Sequence, residues 1–62
     1  MKSAAEDAML TVQDVARRFN VPVSWVYTKA EANELPHVKL GRYLRFHAAD
    51  IEAYLLAQRR GA

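Results

Sequence analysis

Leu35-Pro36-His37-Val38-Lys39-Leu40-Gly41-Arg42-Tyr43-Leu44-Arg45-Phe46 decides the fold of this chain. From His37 to Phe46, polar and apolar residues alternate on both sides of a glycine, which is the period-two pattern of a β-hairpin. Residues directly opposite in an antiparallel pair share a face, so the turn length sets which side chains are buried together. A two-residue Gly41-Arg42 turn pairs Leu40 with Tyr43 and Val38 with Arg45, which spends apolar groups on the same face as a cation. A three-residue Gly41-Arg42-Tyr43 turn pairs Leu40 with Leu44 and Val38 with Phe46, and leaves Lys39 with Arg45 on the wet face. The second register is the expected one, with Arg42 and Tyr43 projecting from the tip.

On the amino-terminal side two helices precede the hairpin. Thr11 can cap a first helix over about Val12 to Phe19, with Asp14 three residues on completing a capping box and Leu10 and Val15 placed as a hydrophobic staple. Val12, Val15, Ala16 and Phe19 recur at i, i+3, i+4 and i+7, one apolar stripe. Asn20-Val21 breaks that pattern. Pro22 suits the first turn of a second helix, where its missing N–H is not needed, with Ser24 the alternative cap. At 100° per residue Val23, Val26, Tyr27 and Ala30 gather on the inner side, while Ser24, Trp25, Thr28 and Ala32 lie opposite with Lys29 flanking. Asn33 favours the left-handed conformation that ends helices, and Leu35-Pro36 forbids continuation, so the helix runs over about residues 22–32.

On the carboxyl-terminal side, Ala48 to Arg60 reads as a third helix. Ile51, Tyr54, Leu55 and Gln58 fall at helical spacing, Leu56 lies off that stripe, and Asp50, Arg59 and Arg60 suit the helix dipole. Residues 1–9 carry no pattern and are expected to form a flexible arm, leaving residues 10–60 as the folded unit. The predicted fold is mainly α with a small β-hairpin: a winged helix-turn-helix with a two-stranded antiparallel wing and a C-terminal helix.

Size and composition narrow the function. A chain of 62 residues without cysteine has room for one small core and no disulfide staple. The formal charge is only +2, but its distribution is uneven: Glu6, Asp7 and Asp14 outweigh Lys2 early, and the bases are concentrated from Arg17 onward. No apolar run is long enough to span a bilayer and no secretory signal precedes the fold, so a cytoplasmic, nucleoid-associated protein is expected, with no membrane partner. His37 and His47, without cysteine or clustered carboxylates, make a poor metal site, and Ser24 has no histidine at local spacing. Neither a metal, a cofactor nor an enzymatic activity is expected.

What remains is recognition. A major groove admits a helix, and a basic hairpin beside it can reach the backbone or the minor groove. Ser24, Trp25, Thr28 and Lys29 are candidates for contacts to base edges, with the Tyr27 hydroxyl reaching a phosphate. Lys39, Arg42, Tyr43 and Arg45 are candidates on the hairpin, with Gly41 letting the backbone approach closely. For Lys39, Arg42 and Arg45 the duller alternative is a solvated strand face that blunts a sheet edge.

Leu10-Thr11-Val12-Gln13-Asp14-Val15-Ala16, then Val21-Pro22-Val23-Ser24-Trp25-Val26-Tyr27, then Leu35 through Phe46, resemble the excisionase and AlpA group of MerR-like winged helices in order and spacing. Asn33 stands where that group often has glycine. The resemblance implies a small binder of double-stranded DNA, acting as a recombination directionality factor, a transcriptional regulator, or both. It places the helix beginning near Pro22 in the major groove and makes the Gly41-Arg42 hairpin the wing. An integrase of the tyrosine recombinase type and a second copy bound head to tail on DNA are the partners implied; with no effector domain in the sequence, no small-molecule ligand is expected. The rival expectation is an adaptor that docks on a recombinase or polymerase without touching DNA. It draws on the modest net charge.

Overall fold

The computed structural model describes residues 9–60. In chain order the elements are β1 (Met9–Leu10), α1 (Val12–Phe19), α2 (Val23–Glu31), β2 (Val38–Leu40), β3 (Tyr43–His47) and α3 (Ala48–Ala57). The strands form one antiparallel sheet in the order β1-β3-β2. This is a winged helix-turn-helix whose wing has gained a third, short strand.

Local chemistry sets the helix ends. Thr11 caps α1: its hydroxyl accepts from the Asp14 amide at 3.1 Å, and the Thr11 amide donates to the Asp14 carboxylate at 3.0 Å. Those two backbone hydrogen-bond donors would otherwise be orphaned at a helix start. Asn20 closes α1 at φ 59°, a left-handed conformation that asparagine tolerates better than most residues. Pro22 is the N-cap of α2, with its carbonyl accepting from the Trp25 amide at 3.0 Å. At the far end Asn33 sits at φ 61°, and the Asn33 and Glu34 amides bond back to the Ala30 and Lys29 carbonyls at 3.0 Å each. The chain then turns toward the sheet.

The core lies between α1, α2, β3 and α3. Phe46, Leu35, Ile51, Val15 and Val26 are its largest fully buried side chains, joined by Leu10, Val12, Ala16 and Ala30. Phe46 projects from β3 with Leu10 directly opposite it on β1, so both lie on one face of the sheet. Fully burying an aromatic of this kind contributes roughly 1.5–3 kcal/mol. That is a large share of the roughly 3–5 kcal/mol that a core of this size supplies.

Three expectations are corrected. First, the hairpin takes the two-residue turn: Leu40 pairs with Tyr43, Lys39 with Leu44 and Val38 with Arg45. Gly41 occupies the first turn position at φ 61°, and a glycine there gives the primed turn whose twist matches the strands it joins. The core tolerates this register because Leu10, opposite Phe46 on β1, and Leu35, 1% exposed, supply the buried apolar groups that Val38 and Leu40 were expected to supply. Second, Met9 does not belong to an arm; it pairs with His47, while the rest of the expected arm lies outside the described residues. Third, α3 ends at Ala57 and not at Arg60, with Gln58 as its cap. Ile51 is its one fully buried side chain, Tyr54 is half-buried, and Leu55 is 44% exposed. Beyond Tyr54 the helix has little core to pack against, so nothing holds Arg59 and Arg60 in another turn.

Candidate nucleic-acid interface

The axis of α2 divides its surface into two flanks. Val26 and Ala30 point into the core, Ser24 and Thr28 are exposed on the opposite side, and the remaining side chains lie between. Trp25 and Lys29, four residues apart, share one flank; Tyr27 and Glu31 share the other.

The Trp25 flank is already occupied. The indole is half-buried, meeting Phe19 edge to face at 6.0 Å, and Phe19 in turn stacks on Tyr54 of α3 at 5.9 Å. Lys29 lies over the Trp25 ring at 5.6 Å and donates to the Glu34 carboxylate at 3.0 Å. That hydrogen bond and the Glu34 charge raise the Lys29 pKa. Trp25 was expected beside Ser24 and Thr28 on the outer face. The structure puts it against α1 instead, because Phe19 at the end of that helix offers an aromatic edge.

The Tyr27 flank is open. Tyr27 is 43% exposed and faces the wing across a cleft of about 560 Å³ lined by Glu31, Asn33, His37, Lys39, Arg42 and Leu44 along with Tyr27. A second cleft of about 310 Å³ continues toward the start of α1, between Thr11, Gln13 and Tyr27 on one side and Arg42, Tyr43 and Arg45 on the other. Tyr27, Arg42 and Leu44 border both. The structure therefore gathers Tyr27, Lys39, Arg42, Tyr43 and Arg45 around one groove, with Ser24 and Thr28 exposed on α2. Gly41 sits at the tip with nothing within 4 Å of where a side chain would stand. Its backbone angle, not crowding, calls for glycine.

Charge divides along the same line. Arg17 pairs with Asp14 at 2.7 Å, Arg18 with Glu52 at 3.3 Å and Lys29 with Glu34 at 3.0 Å. The Asp14 carboxyl is held below its usual range by the Thr11 amide first and the Thr11 hydroxyl second, with Arg17 and Arg18 adding to both. Lys39, Arg42 and Arg45 make no ion pair with any described carboxylate. The Arg42 and Arg45 guanidiniums lie 5.5 and 5.4 Å from the Tyr43 ring centre, an attraction that does not neutralise their positive charge. Such a cationic hairpin suits phosphate.

Glu31, Asn33, His37, Thr11 and Gln13 border the groove without having been singled out as site residues. Glu31 was findable, since it lies one turn after Tyr27. Thr11 and Gln13 were not, because only the packing of α1 against the sheet brings them to the wing. The His37 Nδ1 lies 2.9 Å from the Leu35 carbonyl; a carbonyl can only accept, so this nitrogen carries a proton. Among the described residues no three histidine, cysteine or acidic side chains are grouped to hold a metal ion, and no helix is long and apolar enough to cross a membrane.

No curated protein and no solved structure matches this chain. The helix-turn-helix domain family matches it over residues 9–59, from β1 to just past the end of α3. With two capped helices joined by a tight turn, an exposed hydroxyl-bearing side on the second and a cationic hairpin beside it, the chain belongs to the helix-turn-helix domain family and is a DNA-binding module.

Proposed function

We propose that the chain binds double-stranded DNA sequence-specifically in the manner of the excisionase and AlpA group of MerR-like winged helices, acting as a recombination directionality factor, a transcriptional regulator, or both. In this reading α2 lies in the major groove, Ser24 and Thr28 meet base edges, and Tyr27 reaches a phosphate at the groove wall. Lys39, Arg42 and Arg45 neutralise phosphates or line the adjacent minor groove, with Gly41 and Tyr43 at the point of closest approach. Trp25 and Lys29 drop to a supporting role, setting the tilt of α2 on α1. The observation that carries the reading is the groove lined by Tyr27 of α2 and by Arg42 of the wing, which pairs with no described carboxylate.

A module of this size covers only about 600–1,000 Å² of its surface on DNA. Useful affinity then calls for a second copy bound head to tail or an integrase partner, and Leu55 and Leu56, 44% and 60% exposed on α3, offer an apolar face for either. The same leucines are the specific observation behind the second reading, an adaptor that docks on a recombinase or polymerase without DNA. A salt titration of duplex binding separates the two. Phosphate-driven binding weakens steeply as salt rises, whereas an adaptor has no duplex affinity even at low salt.

A further inference from the structure

Among the described residues, the observed hairpin register leaves an apolar pair exposed. Leu40, the last residue of β2, and Tyr43, the first of β3, stand directly opposite each other beside the turn. They share the face turned away from Phe46, and are 51% and 52% exposed. In a hairpin serving only to present cations, these positions would be polar. A core-facing role is closed to them by the register, which gives the core side of β3 to Leu44 and Phe46. The pair is flanked by charge on its own side: Arg42 and Arg45 each lie against the Tyr43 ring, while Lys39, paired with Leu44, serves the opposite face.

An apolar pair flanked by two guanidiniums that meet no described carboxylate is complementary to one surface in particular, the floor of a minor groove between two rows of phosphates. Resting on the DNA-binding reading above, we infer that Leu40, backed by Tyr43, is a wedge that enters the minor groove and opens a base step, so that the protein bends the duplex it binds. The guanidiniums on Tyr43 take the flanking phosphates, and the unstacking is offset by the protein surface that the bent duplex then covers. Gly41 adds no side chain to the tip, and nothing lies within 4 Å of where one would stand. A second copy of the chain is a weaker occupant, because it would bring Lys39, Arg42 and Arg45 against their own like charges.

The test uses the full chain and a short duplex recovered by that chain from a randomised pool, labelled at both ends for energy transfer and carrying 2-aminopurine at successive steps beside the major-groove site. Wild type is expected to shorten the end-to-end distance, by a kink of roughly 20–90°, and to raise 2-aminopurine emission at one step. Leu40→Ala should abolish the emission change and most of the bend while changing affinity by less than about tenfold, since the phosphate contacts that dominate affinity remain. Leu40→Phe should restore both signals. Leu40 is half exposed, so these variants keep the fold, and a melting curve of each verifies it. Binding by wild type without bend or emission change overturns the wedge and leaves the DNA-binding reading standing. So does a Leu40→Ala protein that bends normally but binds less cooperatively, which would assign the pair to a protein contact. Absence of duplex binding by wild type overturns both proposals together.

Discussion

The two flanks of α2 carry similar residues to opposite ends. On one, an aromatic and a cation, Trp25 and Lys29, are stacked on each other and tied to Phe19 and Glu34. On the other, Tyr27 faces Arg42 across an open groove, and Arg42, though it lies over the Tyr43 ring, pairs with no described carboxylate. An aromatic with a nearby base is thus no signature of a binding face in itself. What distinguishes the faces is whether the chain's own groups have already satisfied them, because a charge neutralised internally must be released before it can serve a phosphate.

The comparison breaks most readily at Trp25. Truncation to alanine should cost about 2–3 kcal/mol, below the value for a fully buried aromatic because the indole is half exposed. In a domain this small that removes much of the stability, and thermal unfolding will register it. Tyr27→Ala should melt nearly as wild type yet bind duplex more weakly. Equal melting of the two variants would dissolve the distinction between the flanks.

Next in size is Arg42→Ala. Loss of one phosphate contact should weaken binding across all sequences alike and lower the slope of log affinity against log salt by about 0.9, in a titration of duplex binding at several salt concentrations. Lys29→Gln, on the satisfied flank, should leave that slope unchanged. Thr28→Ala sharpens the picture of the outer side: selection from a random pool should show relaxed preference at one base position, by about 1–3 kcal/mol of discrimination. Unaltered preference would remove Thr28 from the reading face.

The smallest effect concerns the start of α1, which borders the groove through Thr11. Thr11→Ala should destabilise by about 1 kcal/mol, or roughly 4–8 °C in Tm. Its partner carboxyl gives the cap a pH dependence. Asp14 has a folded pKa lowered from its usual 3.8, so its contribution is complete above that value and is lost as pH falls through the lower folded one. Melting curves taken downward in pH should show wild type losing stability there and Asp14→Asn losing less.

Local signals were legible and competition for the core was not. Thr11 with Asp14, Pro22, and the asparagines at positions 20 and 33 each act within a few residues of chain, and each ends or starts a helix where the sequence pattern places it. The winged arrangement follows from their order. Hairpin register, by contrast, depended on which leucines reach Phe46 first, and Leu10 and Leu35 come from outside the alternating stretch. The same holds for the site: Arg42 lies in the turn under either register, but Tyr43, expected in the turn, stands on β3 opposite Leu40, and the placement of Trp25 required knowing that Phe19 ends α1 beside it. The exposed Leu40 was hidden for the same reason. A pattern read along one strand gives the faces but not which of them the rest of the molecule covers.

The most direct test of a shared α2 and wing surface is a duplex titration followed by amide and indole NMR shifts. The largest changes should fall at Ser24, Tyr27, Thr28 and the stretch from Lys39 to Arg45, with the Trp25 indole N–H, Lys29 and α3 nearly still. Changes centred on Trp25, Lys29 and Leu55 to Leu56, with the wing silent, would contradict it.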